Sequence, residues 1–332
     1  MESMPMVKVT DLNIRFQHGD EIISAVNGVN LTVAKGEVVA LIGESGSGKS
    51  VTLRALMRLH PARSTTIEGA IRIDGEDLMA KTPQQLQAFR GAKVAMIFQE
   101  PLLAFDPVYT IGQQITEALR RHHGLNKKEA RSRAIEALRS VRIPSPEHRL
   151  DAYPHEMSGG MRQRAMIAQA LACGPELLLA DEPTTALDAT VQIQILILLR
   201  ELQQELGLSI IFVTHDIGAA VEVADRVAVM YGGRIVEEAP LQTLLATPRH
   251  PYTQVLLASR PKGGLKPGQR LNSIPGSPPD LAQLPTGCAF APRCQYASDL
   301  CQRQLPVTEE AGKGHHLNCH HWRQLTTTTL NT

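Results

Sequence analysis

GESGSGKS, residues 43–50, stands between the apolar run EVVALI (37–42) and VTLRALMRL (51–59), whose leucines recur at helical spacing. The stretch fits the pattern G-x-x-x-x-G-K-S/T in its required setting, after a buried strand and before a helix. Its glycines let successive backbone N–H groups turn inward around phosphate oxygens. The helix expected to open near Lys49 adds its positive end to the same place. In such a loop Lys49 reaches the β- and γ-phosphates, and Ser50 offers a hydroxyl to Mg²⁺. Gly43, Glu44, Ser45, Gly46, Ser47, Gly48, Lys49 and Ser50, with Val51 behind them, form the expected triphosphate cradle. The chain is read as binding a nucleotide.

Working outward, VKVTDLNIRF (7–16), GVNLTVAKG (28–36) and GAIRIDGEDL (69–78) alternate apolar and polar residues, as half-buried antiparallel strands do. ELLLADEP (176–183), LSIIFVTHD (208–216) and DRVAVMY (225–231) carry apolar cores with the pattern of strands buried on both faces. Helical patterns fall between them, including KKEARSRAIEALRSV (127–141). Strands alternating with helices imply a mainly parallel sheet. The basic face of 127–141 reads as a solvated surface.

Composition narrows the function. The chain has 332 residues, 43 % hydrophobic and 20 % charged, enough for a real core. A formal net charge of +1 and 4 % aromatics give neither the field nor the stacking platform of a nucleic-acid binder. No apolar run approaches the ~20 residues of a membrane span, and MESMPMVKVTDLNIRF (1–16) lacks a secretory n-region and h-region. The expectation is a cytoplasmic protein whose thiols stay reduced.

A second carboxylate site is offered by ELLLADEP. Asp181, ending a buried strand, would hold Mg²⁺, and Glu182 could polarise an attacking water. MSGGMRQRAMIAQALA (157–172) precedes that strand, and its Ser158-Gly159-Gly160 resembles the LSGGQ signature of ABC-transporter ATPases, with Met157 for the leucine and Met161 for the glutamine. Gln99 in AMIFQEP fits that family's Q-loop, Asp188 in TTALDA its D-loop and His215 in FVTHD its switch histidine. Phe16 fits the aromatic that stacks on adenine. Six motifs in the family's order, from about Val7 to Ala246, carry the resemblance.

The resemblance implies a phosphate-loop α/β nucleotide-binding domain of the RecA-like kind over residues 1–248, with an antiparallel β subdomain and a helical subdomain at about 100–165. It implies ATP and Mg²⁺ (on Ser50, Gln99 and Asp181), Glu182 as base, and Gln99 and His215 positioning water, metal and γ-phosphate. It also implies a head-to-tail dimer in which Ser158 to Gly160 of one ATPase subunit face residues 43–50 of another. Such a pair would be a heterodimer, or alternatively a homodimer. Two transmembrane permease subunits and a periplasmic or extracellular solute-binding protein would complete the assembly, with this chain on the cytoplasmic face of the membrane and no nucleic acid involved.

Beyond residue 248 the texture changes. RPKGGLKPGQRLNSIPGSPPDLAQLPTG (260–287) reads as an extended connector and QLTTTTLNT (324–332) as a loose end. PRHPYTQVLL (248–257) and IPGSPPDLAQLPTGCAFAPRC (274–294) resemble the C-terminal extension of ATPases from dipeptide, oligopeptide and nickel importers. That resemblance points to peptide uptake. A nickel or other small-solute importer, or, from another class, a soluble ABC ATPase acting as a switch outside transport, remain alternatives. Four of the five cysteines, Cys288, Cys294, Cys301 and Cys319, are spaced C-x₅-C-x₆-C-x₁₇-C. Four thiolates hold either a 4Fe–4S cluster or a tetrahedral Zn²⁺. The spacings are looser than zinc knuckles and the family extension can carry iron–sulfur, while His315, His316, His320 and His321 keep a mixed zinc site open. Cys173 reads as ordinary packing.

Overall fold

The computed structural model describes residues 4–185, 187–259 and 274–325. In chain order these form β1 (Val7–His18), β2 (Glu21–Val33), β3 (Val38–Ile42), α1 (Lys49–Ala55), β4 (Thr65–Ile73), β5 (Glu76–Asp77), α2 (Pro83–Ala92), β6 (Val94–Ile97) and α3 (Pro101–Ala104). Next come α4 (Ile111–His123), α5 (Lys127–Ser140), α6 (Pro146–Arg149), α7 (Gly159–Leu171), β7 (Leu177–Asp181), α8 (Ala189–Leu206) and β8 (Ser209–Thr214). The remainder is α9 (Ile217–Val223), β9 (Arg226–Tyr231), β10 (Arg234–Pro240), α10 (Leu241–Ala246), α11 (Pro251–Ala258), α12 (Asp299–Arg303), β11 (Glu309–Gly312) and β12 (His315–Leu317).

The chain divides into two compact units. The first comprises Met1–Met6, Val33–Glu37 and Leu78–Val213; the second comprises Val7–Thr32, Val38–Asp77 and Thr214–Thr332.

In the first unit, β6 pairs in parallel with β7, and β7 with β8. All three strands are buried along their length, as their unbroken apolar runs require. Burying each Leu, Ile or Val side chain contributes about 1.5–3 kcal/mol. Helices α4, α5 and α7 pack on one another. Capping boxes start α4 at Thr110 with Gln113, and α5 at Asn126 with Glu129; each satisfies two otherwise orphaned end groups.

The second unit holds a four-stranded sheet in the order β2-β1-β4-β5. Its β1–β4 pairing is antiparallel from Val7↔Ile73 to Phe16↔Thr65, with a shift between Thr10 and Asn13. The alternating sequences predict this arrangement. A further run of strands follows the order β11-β12-β10-β9-β3, parallel only between β3 and β9.

The segment beyond residue 248 is more ordered than its Pro/Gly texture indicates. Residues 260–273 of the expected connector and 326–332 of the expected loose end lie outside the described residues. Around them, α11 is a helix started by His250, whose Nδ1 accepts from the Tyr252 amide at 3.1 Å. Buried Glu237 on β10 gathers three donors: the amides of Arg249 and His250 at 2.7 and 2.9 Å, and His315 Nε2 at 2.7 Å. Burial drives the His250 pKa down to about 4, keeping the ring neutral against the opposing pull of the Glu237 charge and a backbone hydrogen bond to Asn318. Tyr252 packs against Tyr231 and Phe290, with ring centroids 4.5 and 5.4 Å away. An eight-residue helix and strands of three and four residues are too short to show a period, so the sequence alone does not reveal them.

Candidate functional site

In the second unit the loop after β3 is shaped by glycines that admit no substitute. Gly43 has φ +153° and a methyl there would lie 2.2 Å from the Met230 carbonyl oxygen. Gly48, at φ +102°, would place one 2.5 Å from the Ala25 carbonyl. Both collisions are with backbone, which cannot step aside. The Ser47 amide donates to the Glu44 carbonyl at 3.3 Å, and the Gly233 amide to the Ser47 carbonyl at 3.1 Å. Lys49, 4 % exposed, lies across its own loop: Nζ donates to the carbonyls of Gly43 and Glu44 at 2.9 and 2.8 Å and reaches Ser47 Oγ at 3.4 Å. Ser45 and Gly46 are exposed at the loop's crest, and Ser50 and Val51, in the first turn of α1, are half-buried.

Phe16 is half-buried and meets His60 edge-on at 5.3 Å. His60 Nε2 lies 2.8 Å from the Val51 carbonyl oxygen, and burial holds its pKa below the usual imidazole value. His215, directly after β8, is exposed. The next residue, Asp216, caps α9 by accepting from the Gly218 amide at 2.7 Å.

The first unit brings together residues that the sequence keeps apart. Asp181 is fully buried at the end of β7. Glu182, just before Pro183, adopts φ +46°, a conformation costly for a residue with a Cβ and found where function over-determines the backbone. Its amide donates to the Val213 carbonyl at 2.9 Å. Its carboxylate accepts from Thr185 Oγ1 at 2.9 Å and Gln99 Nε2 at 3.3 Å. Ser158 caps α7 through its Oγ, which accepts from the Met161 amide at 3.3 Å. Asp188 caps α8 by accepting from the Val191 amide at 3.0 Å. A methyl on Gly160 would come within 2.8 Å of Val191 Cγ1, so the glycine pair lets the starts of α7 and α8 approach.

Cys288, Cys294, Cys301 and Cys319 all border one small cavity, together with Phe290, Tyr296, His320 and His321. None of the four is in a disulfide. Burial pushes the pKa of Cys288 and Cys294 up, and that of Cys319 up to about 11. Among the described residues no group of three or more His, Cys, Asp or Glu side chains is arranged to hold a metal ion. Cys173 is buried, which raises its pKa.

Two residues of this region were not singled out by sequence reasoning. The Glu44 amide donates to the Tyr252 hydroxyl oxygen at 2.8 Å, and Arg293 forms a two-armed ion pair with the Glu44 carboxylate at 2.7 and 3.1 Å. One signal was available: a single arginine inside the otherwise apolar AFAPRC, residues 289–294.

Residues 26–185 match the ABC transporter family, and residues 236–301 the C-terminal region of oligopeptide/dipeptide transporters. The chain belongs to the ABC-transporter ATPases. A protein of Brucella melitensis named as a peptide import ATP-binding protein is 47 % identical over 98 % of this chain and 99 % of its own length. One from Sinorhizobium fredii, named as a peptide ABC transporter ATP-binding protein, is 46 % identical over 97 % of each. Among solved structures, a dimeric ATP-binding cassette in a post-hydrolysis state with ADP and Pi superposes with a TM-score of 0.64 at 33 % identity, over 71 % of this chain and 99 % of that one. The cbiO1 protein of Clostridium perfringens, part of an ABC transporter complex, gives 0.62 at 29 % identity, over 72 % and 90 %. These relatives bear out the expected ABC ATPase cassette fold. Among the described residues no helix is long and apolar enough to cross a membrane.

Proposed function

We propose that this chain energises bacterial uptake of dipeptides or oligopeptides by binding and hydrolysing ATP. The observation that carries the reading is the match of residues 236–301 to the oligopeptide/dipeptide transporter C-terminal region, on a chain whose phosphate loop is complete. In this reading Lys49 and the amides of residues 43–50 hold the triphosphate, and Phe16 stacks on adenine. Mg²⁺, when bound, neutralises phosphate charge; Ser50, Gln99 and Asp181 are its proposed holders, and buried Asp181 supplies a carboxylate suited to a hard cation. Glu182 takes a proton from water as the water oxygen attacks the γ-phosphorus. The bond to the bridging oxygen breaks in line, and ADP leaves. The Gln99 contact to Glu182 supports their working as a pair, with His215 assigned to the γ-phosphate.

Ser158 to Gly160 and Asp188 would serve the nucleotide of a second ATPase subunit, a different polypeptide in the proposed assembly. Two permeases and a solute-binding protein complete it, with this chain peripheral at the cytoplasmic face. Co-purification with membrane subunits, and uptake of labelled peptide that fails when the chain is removed, test the reading. Uptake of nickel but not peptide would move it to the small-solute importers. A soluble complex with ribosomes or DNA would overturn it.

For the extension we propose that Cys288, Cys294, Cys301 and Cys319 hold a 4Fe–4S cluster, with Zn²⁺ the competing occupant. Their placement around one cavity supports convergence of four thiolates; ligation requires the side chains to draw closer than they stand. Anaerobic purification followed by iron, sulfide and zinc analysis decides. About four irons with matching sulfide per chain, lost in Cys294→Ser, is the expected result; one zinc without sulfide would replace the cluster by a structural zinc.

A further inference from the structure

Glu44 is a paradox of charge. It lies in a loop whose task is to surround a polyanion, where a bare carboxylate would repel the ligand. The fold neutralises it from the far end of the chain. Arg293, 249 residues away, pairs with it through both arms. Every donor of that guanidinium is engaged. Nη1 serves Glu44 Oε2 and the Tyr231 hydroxyl at 2.7 and 3.1 Å, Nη2 serves Glu44 Oε1 and the Ile274 carbonyl at 3.1 and 3.3 Å, and Nε donates to the Pro275 carbonyl at 2.7 Å. Five N–H groups in a rigid fork, all used, fix the charge in place. The Arg293 side chain is 5 % exposed and that of Glu44 24 %, so the pair is little screened by solvent.

Glu44 is held at its other polar atoms too. Its amide donates to Tyr252 Oη, and its carbonyl accepts from Lys49 Nζ. Two of its holders, Tyr252 and Arg293, therefore come from the extension, and the third is the lysine assigned to the phosphates. A buried ion pair is weak evidence for stability, since desolvation offsets most of its attraction. Its position against the loop is better explained by the ligand.

We infer that Arg293 is a positioning residue of the nucleotide site: it cancels the Glu44 charge at the phosphate loop, so that the C-terminal extension sets the affinity for ATP. The inference rests on the reading that residues 43–50 bind the triphosphate.

The test is a charge cycle on the full-length chain, with Mg·ATP affinity measured by competition against a fluorescent ATP analogue. Arg293→Ala leaves the carboxylate bare and weakens ATP binding by about tenfold, the order expected for a unit charge within about 10 Å at an effective dielectric near 20. Glu44→Gln leaves the guanidinium unopposed and tightens it. The double variant, with neither charge, returns to within about twofold of the unaltered chain, and all differences shrink in high salt. A purely structural contact gives another pattern, in which both single variants weaken binding and the double does not recover; that result overturns the inference. Should Arg293→Ala fail to fold, Glu44→Gln alone decides: tighter binding supports the inference, and equal or weaker binding overturns it. Absence of ATP binding by the unaltered chain would overturn the nucleotide reading as well.

Discussion

Glu182 is the residue on which the proposed hydrolysis turns. Its backbone is held at φ +46° between a buried strand and a proline, and its carboxylate faces Gln99 and Thr185. The strained backbone aims the carboxylate while leaving it half-exposed and able to meet water. Glu182→Gln keeps the shape and removes the proposed base. Its expected phenotype is ATP binding near the unaltered value with hydrolysis reduced by about 10²–10⁴-fold, read from phosphate release beside nucleotide binding. Rapid turnover by this variant would remove Glu182 from the role. At Gly48 the constraint is steric. Gly48→Ala must push the Ala25 carbonyl away from 2.5 Å at a φ that disfavours a side chain. The expectation is a loss of about 2 kcal/mol or more, seen as a lower melting temperature, together with loss of ATP binding.

Among the elements, α7 and α8 begin alike: a short polar side chain, Ser158 or Asp188, accepts an amide three residues on. Each cap contributes about 1 kcal/mol, and each occupies a motif position that the family resemblance assigns to the nucleotide interface. Ser158→Ala should lower stability by about that amount in denaturant titration. The same substitution should impair ATP-driven pairing of subunits far more than so small a loss explains. If pairing and stability fall only in proportion, Ser158 is a helix cap and nothing else. The junction of β10 and α11 depends on a buried acid instead. Glu237→Ala strips the acceptor from the Arg249 and His250 amides and from His315. Leaving these donors buried and unpaired costs about 3 kcal/mol or more. Chemical denaturation should register it, and amide exchange at the start of α11 should accelerate. Unchanged exchange there would show that the aromatic packing of Tyr252 alone holds the helix.

For the molecule as a whole, the extension is continuous with the unit that carries the phosphate loop. β12 covers the edge of β10, pairing Glu237↔Leu317 and Glu238↔His316, and Phe290 sits edge-on to Tyr231 at 5.2 Å. A chain ending at residue 248 would bare both the strand edge and that aromatic surface, a recipe for edge-to-edge association. The truncated chain is expected to elute as aggregate in size-exclusion chromatography under conditions where the full chain does not. A well-behaved truncated species would show that residues 1–248 form an independent domain.

Much of this was legible from residue order. The phosphate loop, the signature, the carboxylates at the end of β7 and the histidine after β8 are local patterns, because glycine conformations, helix caps and buried strands depend on neighbours a few residues away. The sequence by itself therefore determined the class of protein and the candidate residues. What only the tertiary structure decided is long-range: Gln99 against Glu182 across 83 residues, and Arg293 against Glu44 across 249. No period or spacing encodes such pairs. The first exists because β6 and β7 run side by side in parallel and end together. The second exists because a short helix and short strands, individually too brief to register in the sequence, steer the extension back to the loop, where a full set of hydrogen bonds fixes one guanidinium against one carboxylate.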